Sequence, residues 1–327
     1  MDIVKELILA SNNILLTTHT QLDGDAIGSL ISLGLSILSL KKKAVLLAEN
    51  PIPAIYRFLP KIEIISNSIN DRINDFDAVI VLDCGDLERI GENIADITKI
   101  PVIINIDHHI TNSKFGQINL IDVNASSTCE VVYKLIKFLG IKIDIDMAFA
   151  IYTGILTDTG SFRFSNTNCK AFEICQEMLN IGVDPHRVAQ NIYGTYSLNS
   201  IKLLNRVLDS IEVSKNGKLS LMFLTKDMLK ETQTKFEDVH GVINYAKYIE
   251  DVKVAVLIHE NETNSVNKCG NEGKSLFHVS LRSNGSVDVS SIALKFGGGG
   301  HFDAAGFTIC SSLFELKDQI LKLSENF

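Results

Sequence analysis

Three clusters of acidic and histidine residues in this 327-residue chain each follow directly on a short apolar run. His19, Asp23 and Asp25 follow residues 14–18, Asp83 and Asp86 follow residues 78–82, and Asp107, His108 and His109 follow residues 102–106. Short unbroken apolar runs suit strands buried on both faces. In an open parallel sheet, ligands bind at the carboxyl ends of the strands, around the point where the strand order reverses. Three strands would therefore bring eight ionisable side chains to one edge. A single Asp after a strand commonly caps the next helix, but three clusters aimed the same way are hard to explain as caps. Unpaired, so many carboxylates repel one another, and divalent cations are the natural remedy. Carboxylates mixed with imidazoles, without thiolates, suit Mn²⁺, with Mg²⁺ or Co²⁺ as substitutes. Two such ions about 3.5–4 Å apart, sharing a carboxylate, would activate water for attack on phosphorus. A tetrahedral zinc site fits less well, because the oxygen and nitrogen ligands on offer outnumber its needs.

A second feature lies near the C-terminus: Phe296-Gly297-Gly298-Gly299-Gly300-His301, followed by Asp303-Ala304-Ala305-Gly306. Four bare glycines let backbone N–H groups approach an anion such as phosphate. The alternative is a flexible linker, against which stand apolar rather than serine-rich neighbours.

These residues need elements to position them. Residues 14–18, 44–48, 78–82 and 102–106 read as strands, and residues 26–40 and 53–59 as helical segments between them. That alternation argues for a parallel sheet covered by helices. Ser29, Ser32, Ser36 and Ser39 recur at helical spacing and make a small-residue face for close packing. Ser126 and Ser127 followed by Glu130 mark a capped helix start running through Phe138. Residues 146–156 and 169–180 are also helical in pattern, and residues 197–211 read as the connector between two domains. Beyond it, residues 219–224, 253–259 and 275–282 read as strands, 288–296 and 312–323 as helices, and the polar tract 261–274 as a loop. The expected organisation is two α/β domains joined by a helix.

Composition agrees with a globular protein: 46% hydrophobic, 21% charged and five prolines, which excludes a disordered, collagen-like or disulfide-scaffold chain. The net charge of −8 excludes a general binder of long polyanions. Residues 1–213 hold 18 Lys+Arg and 25 Asp+Glu, so they carry −7 of that −8. Six scattered cysteines without a Cys-x-x-Cys pair point to reduced thiols in a cytoplasmic protein. The N-terminus has no signal design, and residues 26–40 are too short for a membrane span of about 20 residues.

The sequence resembles a known family. His19-Thr20-Gln21-Leu22-Asp23-Gly24-Asp25-Ala26-Ile27-Gly28-Ser29, Leu82-Asp83-Cys84-Gly85-Asp86, Asp107-His108-His109 and Thr157-Asp158-Thr159-Gly160-Ser161-Phe162 are similar to the four motifs of DHH phosphoesterases. The glycine tract with His301 resembles the companion DHHA1 domain. The motifs span essentially the whole chain, in order, and the arrangement is most similar to the bifunctional oligoribonuclease (nanoRNase) and 3′-phosphoadenosine 5′-phosphate (pAp) phosphatase branch.

The resemblance implies a DHH catalytic domain over residues 1–195, a helical linker over 196–214 and a DHHA1 substrate-binding domain over 215–327, with the active site in the cleft between them. It implies one metal held by His19, Asp23 and Asp83, and a second held by Asp25, Asp83, His108 and Asp158, with Asp83 bridging. His109 would face the substrate phosphate, and Asp107 would orient its neighbours. Arg282, Ser283, Gly297, Gly298, Gly299, Gly300 and His301 match positions that hold the substrate's phosphate and sugar. Gln21-Leu22 replaces the family's usual Asn-Pro, which bears on the shape of the first loop rather than on its ligands. Taken singly, Asp158 could end a helix, Arg282 could be an exposed strand residue and Arg163 a surface residue. The Arg282 fork nevertheless suits a phosphate bidentately. His186, His240, His259 and His278 lie outside any motif, and Cys84 has no base beside it.

The expected activity is hydrolysis of RNAs of about two to five nucleotides, and of the 3′-phosphate of pAp, through two-metal activation of a bridging water. Alternatives of the same class are a cyclic- or linear-dinucleotide phosphodiesterase and a RecJ-like exonuclease. An inorganic pyrophosphatase would carry a different second domain, and a non-catalytic sensor should have lost a ligand. No membrane and no long nucleic acid is expected as a partner.

Overall fold

The computed structural model describes residues 1–69, 73–194, 196–239, 241–261, 274–300 and 302–327. The chain divides into two compact units, Met1–Thr195 and Tyr196–Phe327. Among the described residues no helix is long and apolar enough to cross a membrane.

The first unit runs α1 (Asp2–Ala10), β1 (Asn13–Thr18), α2 (Gly24–Ser39), β2 (Lys43–Leu47), β3 (Ile65–Ser66), β4 (Ala78–Leu82), α3 (Ile94–Ile97), β5 (Ile103–Asp107), β6 (Ile118–Ile121), α4 (Thr128–Phe138), α5 (Ile145–Asp158), α6 (Cys169–Ile181) and α7 (Pro185–Tyr193). Its sheet has the order β3-β2-β1-β4-β5-β6, with every neighbouring pair parallel. The chain moves outward from β1 through β2 to β3, then returns to the other side of β1 at β4, so the order reverses between β1 and β4. Both faces of the central strands are buried, as their apolar runs require. Ile14 and Leu16 of β1 join Ile80 and Leu82 of β4 in the core under α2, α4 and α5, while Leu15, Val79 and Val81 enter the opposite core with Phe76 and Ile97.

Glycines let α2, α4 and α5 pack closely. A Cβ on Gly28 of α2 would lie 2.5 Å from Ala150 O of α5, and one on Gly154 of α5 would lie 2.2 Å from Cys129 Sγ of α4 and 3.0 Å from Asp25 Oδ1 of α2. The serines of α2 turn their hydroxyls back onto the helix, as Ser36 Oγ does in donating to Ser32 O at 2.7 Å, so polar side chains are buried without orphaned groups.

Residues 53–59 do not form the expected helix; only Ala54–Tyr56 makes a 3₁₀ turn. Pro60 disfavours a helical Leu59, which cuts the segment short. In this unit α1, β3, α3, β6 and α7 lie outside the sequence reading. β6 is a partly buried edge strand, so it lacks the unbroken apolar signature.

The second unit runs α8 (Leu198–Asp209), β7 (Glu212–Val213), β8 (Leu219–Leu224), α9 (Lys226–Thr232), α10 (Ile243–Lys247), β9 (Val254–Glu260), β10 (Ser275–Ser283), α11 (Val289–Lys295), β11 (Gly299–Gly300), β12 (Ala304–Ser311) and α12 (Leu313–Leu323). Its sheet has the order β11-β12-β10-β9-β8-β7 and is antiparallel except between β8 and β9. One face packs on α11 and α12 through Phe277, Val279 and Leu281. The other buries Met222, Leu224 and Leu257 with Leu203 and Val207 of α8, so that helix is part of this core. Of the expected loop at 261–274, residues 262–273 lie outside the described residues. Cys84, Cys129, Cys169 and Cys175 are free thiols. Cys310 is disulfide-bonded, which departs from the expected set of reduced cysteines. No close Cys pair in the sequence announces that bond, and Cys269 lies outside the described residues.

Candidate metal centre

The site is built at the carboxyl edge of the first sheet, around the reversal point. Thr18 Oγ1, at the end of β1, donates to Leu82 O at the end of β4 at 2.9 Å and ties the two strands together there. His19 follows and is buried. Asp23 is the N-cap of α2, its Oδ1 accepting from Asp25 N at 3.1 Å and Ala26 N at 2.9 Å. Asp25, in the first turn of the same helix, is 1% exposed. Its carboxylate accepts from Thr128 N at 2.6 Å and Cys129 N at 2.8 Å, the free amides at the start of α4. Asp86 is a cap only: its Oδ1 accepts from Glu88 N at 3.0 Å.

Asp83 stands at the centre. It has φ +54°, a left-handed conformation that costs a non-glycine residue about 1–3 kcal/mol and clusters at functional sites. Its amide donates to Ile106 O at 3.0 Å, and its Oδ1 accepts from Thr128 Oγ1 at 2.9 Å. His19 Nε2 lies 3.4 Å from Asp83 Oδ2, while His109 Nδ1 and His108 Nε2 lie 3.7 and 3.9 Å from Oδ1.

Asp107 is fully buried and organises the two histidines beside it. Its Oδ1 accepts from His108 N at 2.8 Å and lies 2.6 Å from His109 Nδ1, while Oδ2 accepts from Asn112 Nδ2 at 2.6 Å. Asn112 Nδ2 also donates to Asn105 Oδ1 at 2.8 Å, and Asn105 Nδ2 donates to Cys84 O at 3.1 Å. His108 Nδ1 is 3.3 Å from Ala125 O. A carbonyl can only accept, so that contact assigns a proton to Nδ1 and makes Nε2 the nitrogen available for a metal. Nε2 points at Asp158 Oδ2, 3.4 Å away, and at Asp25 Oδ2, 4.0 Å away. Asp158 is the last residue of α5, where the helix dipole disfavours a carboxylate and favours a cation. Asn166 Nδ2 donates to Asp158 Oδ2 at 3.2 Å.

Ligand-type atoms converge in three groupings, each with its atoms within 4.8 Å of one another: His19–Asp23–Asp83, Asp83–His108–His109 and Asp25–His108–Asp158. Burial, and then the charge of Asp83, raises Asp23 above the usual carboxylate range. Burial, with the charges of Asp83 and Asp158, pushes Asp25 well up; burial, with Asp83 and Asp23, does the same to Asp158. Burial opposes Asp83 too, but the His19 hydrogen bond and the neighbouring imidazoles outweigh it and hold that carboxyl low. Burial works against a charged His109, yet the Asp107 hydrogen bond and the charges of Asp83, Asp107 and Asp158 raise it to about 9. His19 Nδ1 is buried and finds no hydrogen-bond partner among the described residues. Crowded carboxylates, an imidazole nitrogen without a partner and a set of oxygen and nitrogen donors all fit divalent cations.

Sequence reasoning missed Thr128, Asn105 and Asn112, which hold Asp83 and Asp107 in place. The signal for Asn105 was present, as a lone amide inside the apolar run of β5.

In the second unit, His278, Ser280 and Arg282 alternate with the buried Phe277, Val279 and Leu281 along β10. Arg282 Nη1 donates to Leu281 O at 3.0 Å. Ser283 is buried, its Oγ accepting from Gly285 N at 3.1 Å and Val287 N at 3.2 Å. The glycine tract is structured. Gly297 N donates to Leu294 O at 3.1 Å and Gly298 N to Ala293 O at 2.9 Å, closing α11. Those two amides are committed to the helix end, whereas Gly299 and Gly300 form the exposed edge strand β11. His301 lies outside the described residues. Arg163 folds back, with its Nε donating to Gly160 O at 2.6 Å.

Comparison with known proteins agrees with this arrangement. The DHH family, N-terminal domain, matches residues 13–155, and the DHHA1 domain matches residues 221–327. The bifunctional oligoribonuclease and PAP phosphatase NrnA of Thermus thermophilus is 33% identical over 313 residues, covering 94% of this chain and 88% of that protein. The protein of the same description from Bacillus subtilis is 29% identical over 318 residues, covering 95% of this chain and 93% of that one. The crystal structure of an exopolyphosphatase-related protein from Bacteroides fragilis superposes with a TM-score of 0.88 at 28% identity, over 98% of this chain and 95% of that chain. With two matched domains, a relative above 30% identity along nearly the whole length, and the strand-end clusters in place, the chain belongs to the DHH phosphoesterase family, in its DHH–DHHA1 form.

Proposed function

We propose that the protein hydrolyses phosphoester bonds in RNAs of about two to five nucleotides and removes the 3′-phosphate of pAp, with two divalent cations, Mn²⁺ foremost, at the strand-end site. The observation that carries this reading is Asp83: one buried carboxylate shared by two of the three donor groupings, with His108 shared by another pair. Shared ligands suit two adjacent cations rather than one. His19, Asp23 and Asp83 would hold the first, and Asp25, Asp83, His108 and Asp158 the second. Cations bound there would supply Lewis acidity, neutralising charge on the scissile phosphate and acidifying water.

The chain's own residues do the rest. Asp107 holds His109 by Nδ1, so its Nε2 can face a phosphate oxygen and, when protonated, stabilise charge developing there. Thr128 and the start of α4 fix the carboxylates of Asp83 and Asp25. Arg282, Ser283, the outward-facing backbone of Gly299 and Gly300, and His301 would hold the substrate's phosphate and sugar, with Gly297 and Gly298 shaping that turn. This is a short list of anion-binding groups, and the first unit is acidic, so the described residues offer no basic track to follow a long strand.

The test is a panel of RNAs of two, five, ten and twenty-four nucleotides, with pAp and cyclic di-AMP, assayed for mononucleotide and phosphate release with Mn²⁺ and Mg²⁺. Rate per molecule should fall as the RNA lengthens, with a shallow salt dependence. Faster, processive digestion of the longest RNA would favour a RecJ-like exonuclease, and preference for cyclic di-AMP would favour a cyclic-dinucleotide phosphodiesterase.

A further inference from the structure

Between β2 and β3 the chain makes a detour that touches the site without supplying a ligand to it. Asn50 turns back and donates its Nδ2 to Thr20 O, beside His19, at 2.8 Å. Tyr56 is buried, with its phenol beside the Gly24 amide at the start of α2. The same segment walls a cavity of about 440 Å³ whose lining includes Asn50, Ile52, Arg57, Ile65, Ser66 and Asn67. Its walls come from the carboxyl ends of β2 and β3, the same edge of the sheet that carries the acidic clusters.

The chemistry of this cavity is opposite to that of the cluster. Among the described lining residues it offers one guanidinium, two carboxamides and a hydroxyl, and no carboxylate. Arg57 is anchored, its Nε donating to Ile52 O at 3.1 Å. It makes no ion pair among the described residues, so its Nη groups are open to an anion. An exposed arginine is ordinarily just solvated. A backbone-anchored one in a wall that also carries Ile52, Ile62 and Ile65 has the make-up of a ligand pocket, and the volume lies in the range of about 300–1,000 Å³ common for such sites.

We propose that this cavity is a nucleotide subsite. It takes the phosphorylated nucleotide unit adjoining the one being cut, with Arg57 on that unit's phosphate, Asn50 and Asn67 on the base or sugar edges, and Ile52 and Ile65 against the base face. The proposal rests on the hydrolase reading above and extends it to how the substrate chain is held.

The test compares an RNA trinucleotide with bis(p-nitrophenyl) phosphate, a small diester that has one phosphate and no second nucleotide. In Arg57→Ala the KM for the trinucleotide should rise about 10- to 100-fold, as for loss of a charge-assisted phosphate contact, with kcat/KM for the aryl diester unchanged within about twofold. Asn67→Asp, which sets a carboxylate on the wall, should raise the trinucleotide KM in the same way. Equilibrium binding of the trinucleotide to chelated wild-type and Arg57→Ala protein should show the same loss without any turnover. An unchanged trinucleotide KM and affinity in Arg57→Ala overturns the subsite. Equal loss on both substrates overturns it as well, because Arg57 would then be supporting the His19–Asp23 loop. Wild-type protein that cleaves neither substrate with Mn²⁺ overturns the hydrolase reading, and the binding comparison still decides the subsite by itself.

Discussion

Thr128→Val isolates one hydrogen bond at the heart of the site. The Thr128 side chain is fully buried, and its Oγ1 donates to Asp83 Oδ1 at 2.9 Å. Valine keeps the shape and removes the donor. The Thr128 amide, which serves Asp25, is untouched. A hydrogen bond to a charged partner is worth about 1.5–3 kcal/mol, and groups that orient a metal ligand typically change affinity about 10- to 100-fold. The dissociation constant for Mn²⁺, measured by calorimetric titration of chelator-treated protein, should therefore rise about 10- to 100-fold. Phosphate release should fall at limiting Mn²⁺ and recover as Mn²⁺ is raised. Thr128→Ser, which restores the hydroxyl, should bind nearly as the parent does. A Thr128→Val protein with parental Mn²⁺ affinity and turnover would refute the view that this hydroxyl holds Asp83 in its ligating pose. A Thr128→Ser protein as impaired as Thr128→Val would assign the effect to packing instead.

Other outcomes follow from the same geometry. Asp83→Ala should abolish phosphate release from every substrate and empty both cation positions, whereas His19→Ala should leave the Asp25–His108–Asp158 grouping occupied; metal content after dialysis distinguishes them, and near-normal turnover with two bound Mn²⁺ in Asp83→Ala would contradict the shared-ligand assignment. Arg282→Ala should raise KM by about one to two decades with both cations retained, and loss of bound manganese would overturn that division of labour. In the chelated protein, Asp23, Asp25 and Asp158 are all raised, so the folded state binds their protons more tightly than the unfolded chain does and their contribution to stability is lost as pH climbs above the ordinary carboxylate range. Asp83 has the opposite sign, but it is one group against three. The gap in melting temperature between Mn²⁺-loaded and chelated protein should therefore widen between about pH 5 and pH 8, and a gap that stays constant would refute the coupling.

What could be read from the chain alone was whatever depends on local pattern. The β1, β4 and β5 runs are apolar on both faces, so the sequence announces them as buried parallel strands, and the acidic and histidine residues after each are placed at one edge without further information. The motif residues His19, Asp23, Asp25, Asp83, Asp107, His108 and His109 were legible for that reason and through the resemblance their spacing carries, and Asp158, at a helix end, through the resemblance alone. Segments whose burial is partial were not legible: β6 lies at the sheet edge, and the short turn at Ala54–Tyr56 is bounded by prolines that break a helical pattern.

The tertiary structure decided how those residues act on one another. Asp25 and the Thr128 amide are 103 positions apart and meet at 2.6 Å where Gly28 and Gly154 leave room for α2, α4 and α5 to approach closely and α4 aims its free amides inward. The proton on His108 Nδ1 is set by Ala125 O, a carbonyl that no residue pattern singles out. Gly297 and Gly298, which as sequence look like free anion-binding backbone, spend their amides closing α11, because the last helical carbonyls must be satisfied. Hydrophobic periodicity is a property of neighbouring residues and survives in the sequence. Which donor reaches which carboxylate depends on contacts between distant segments and exists only once the helices have packed.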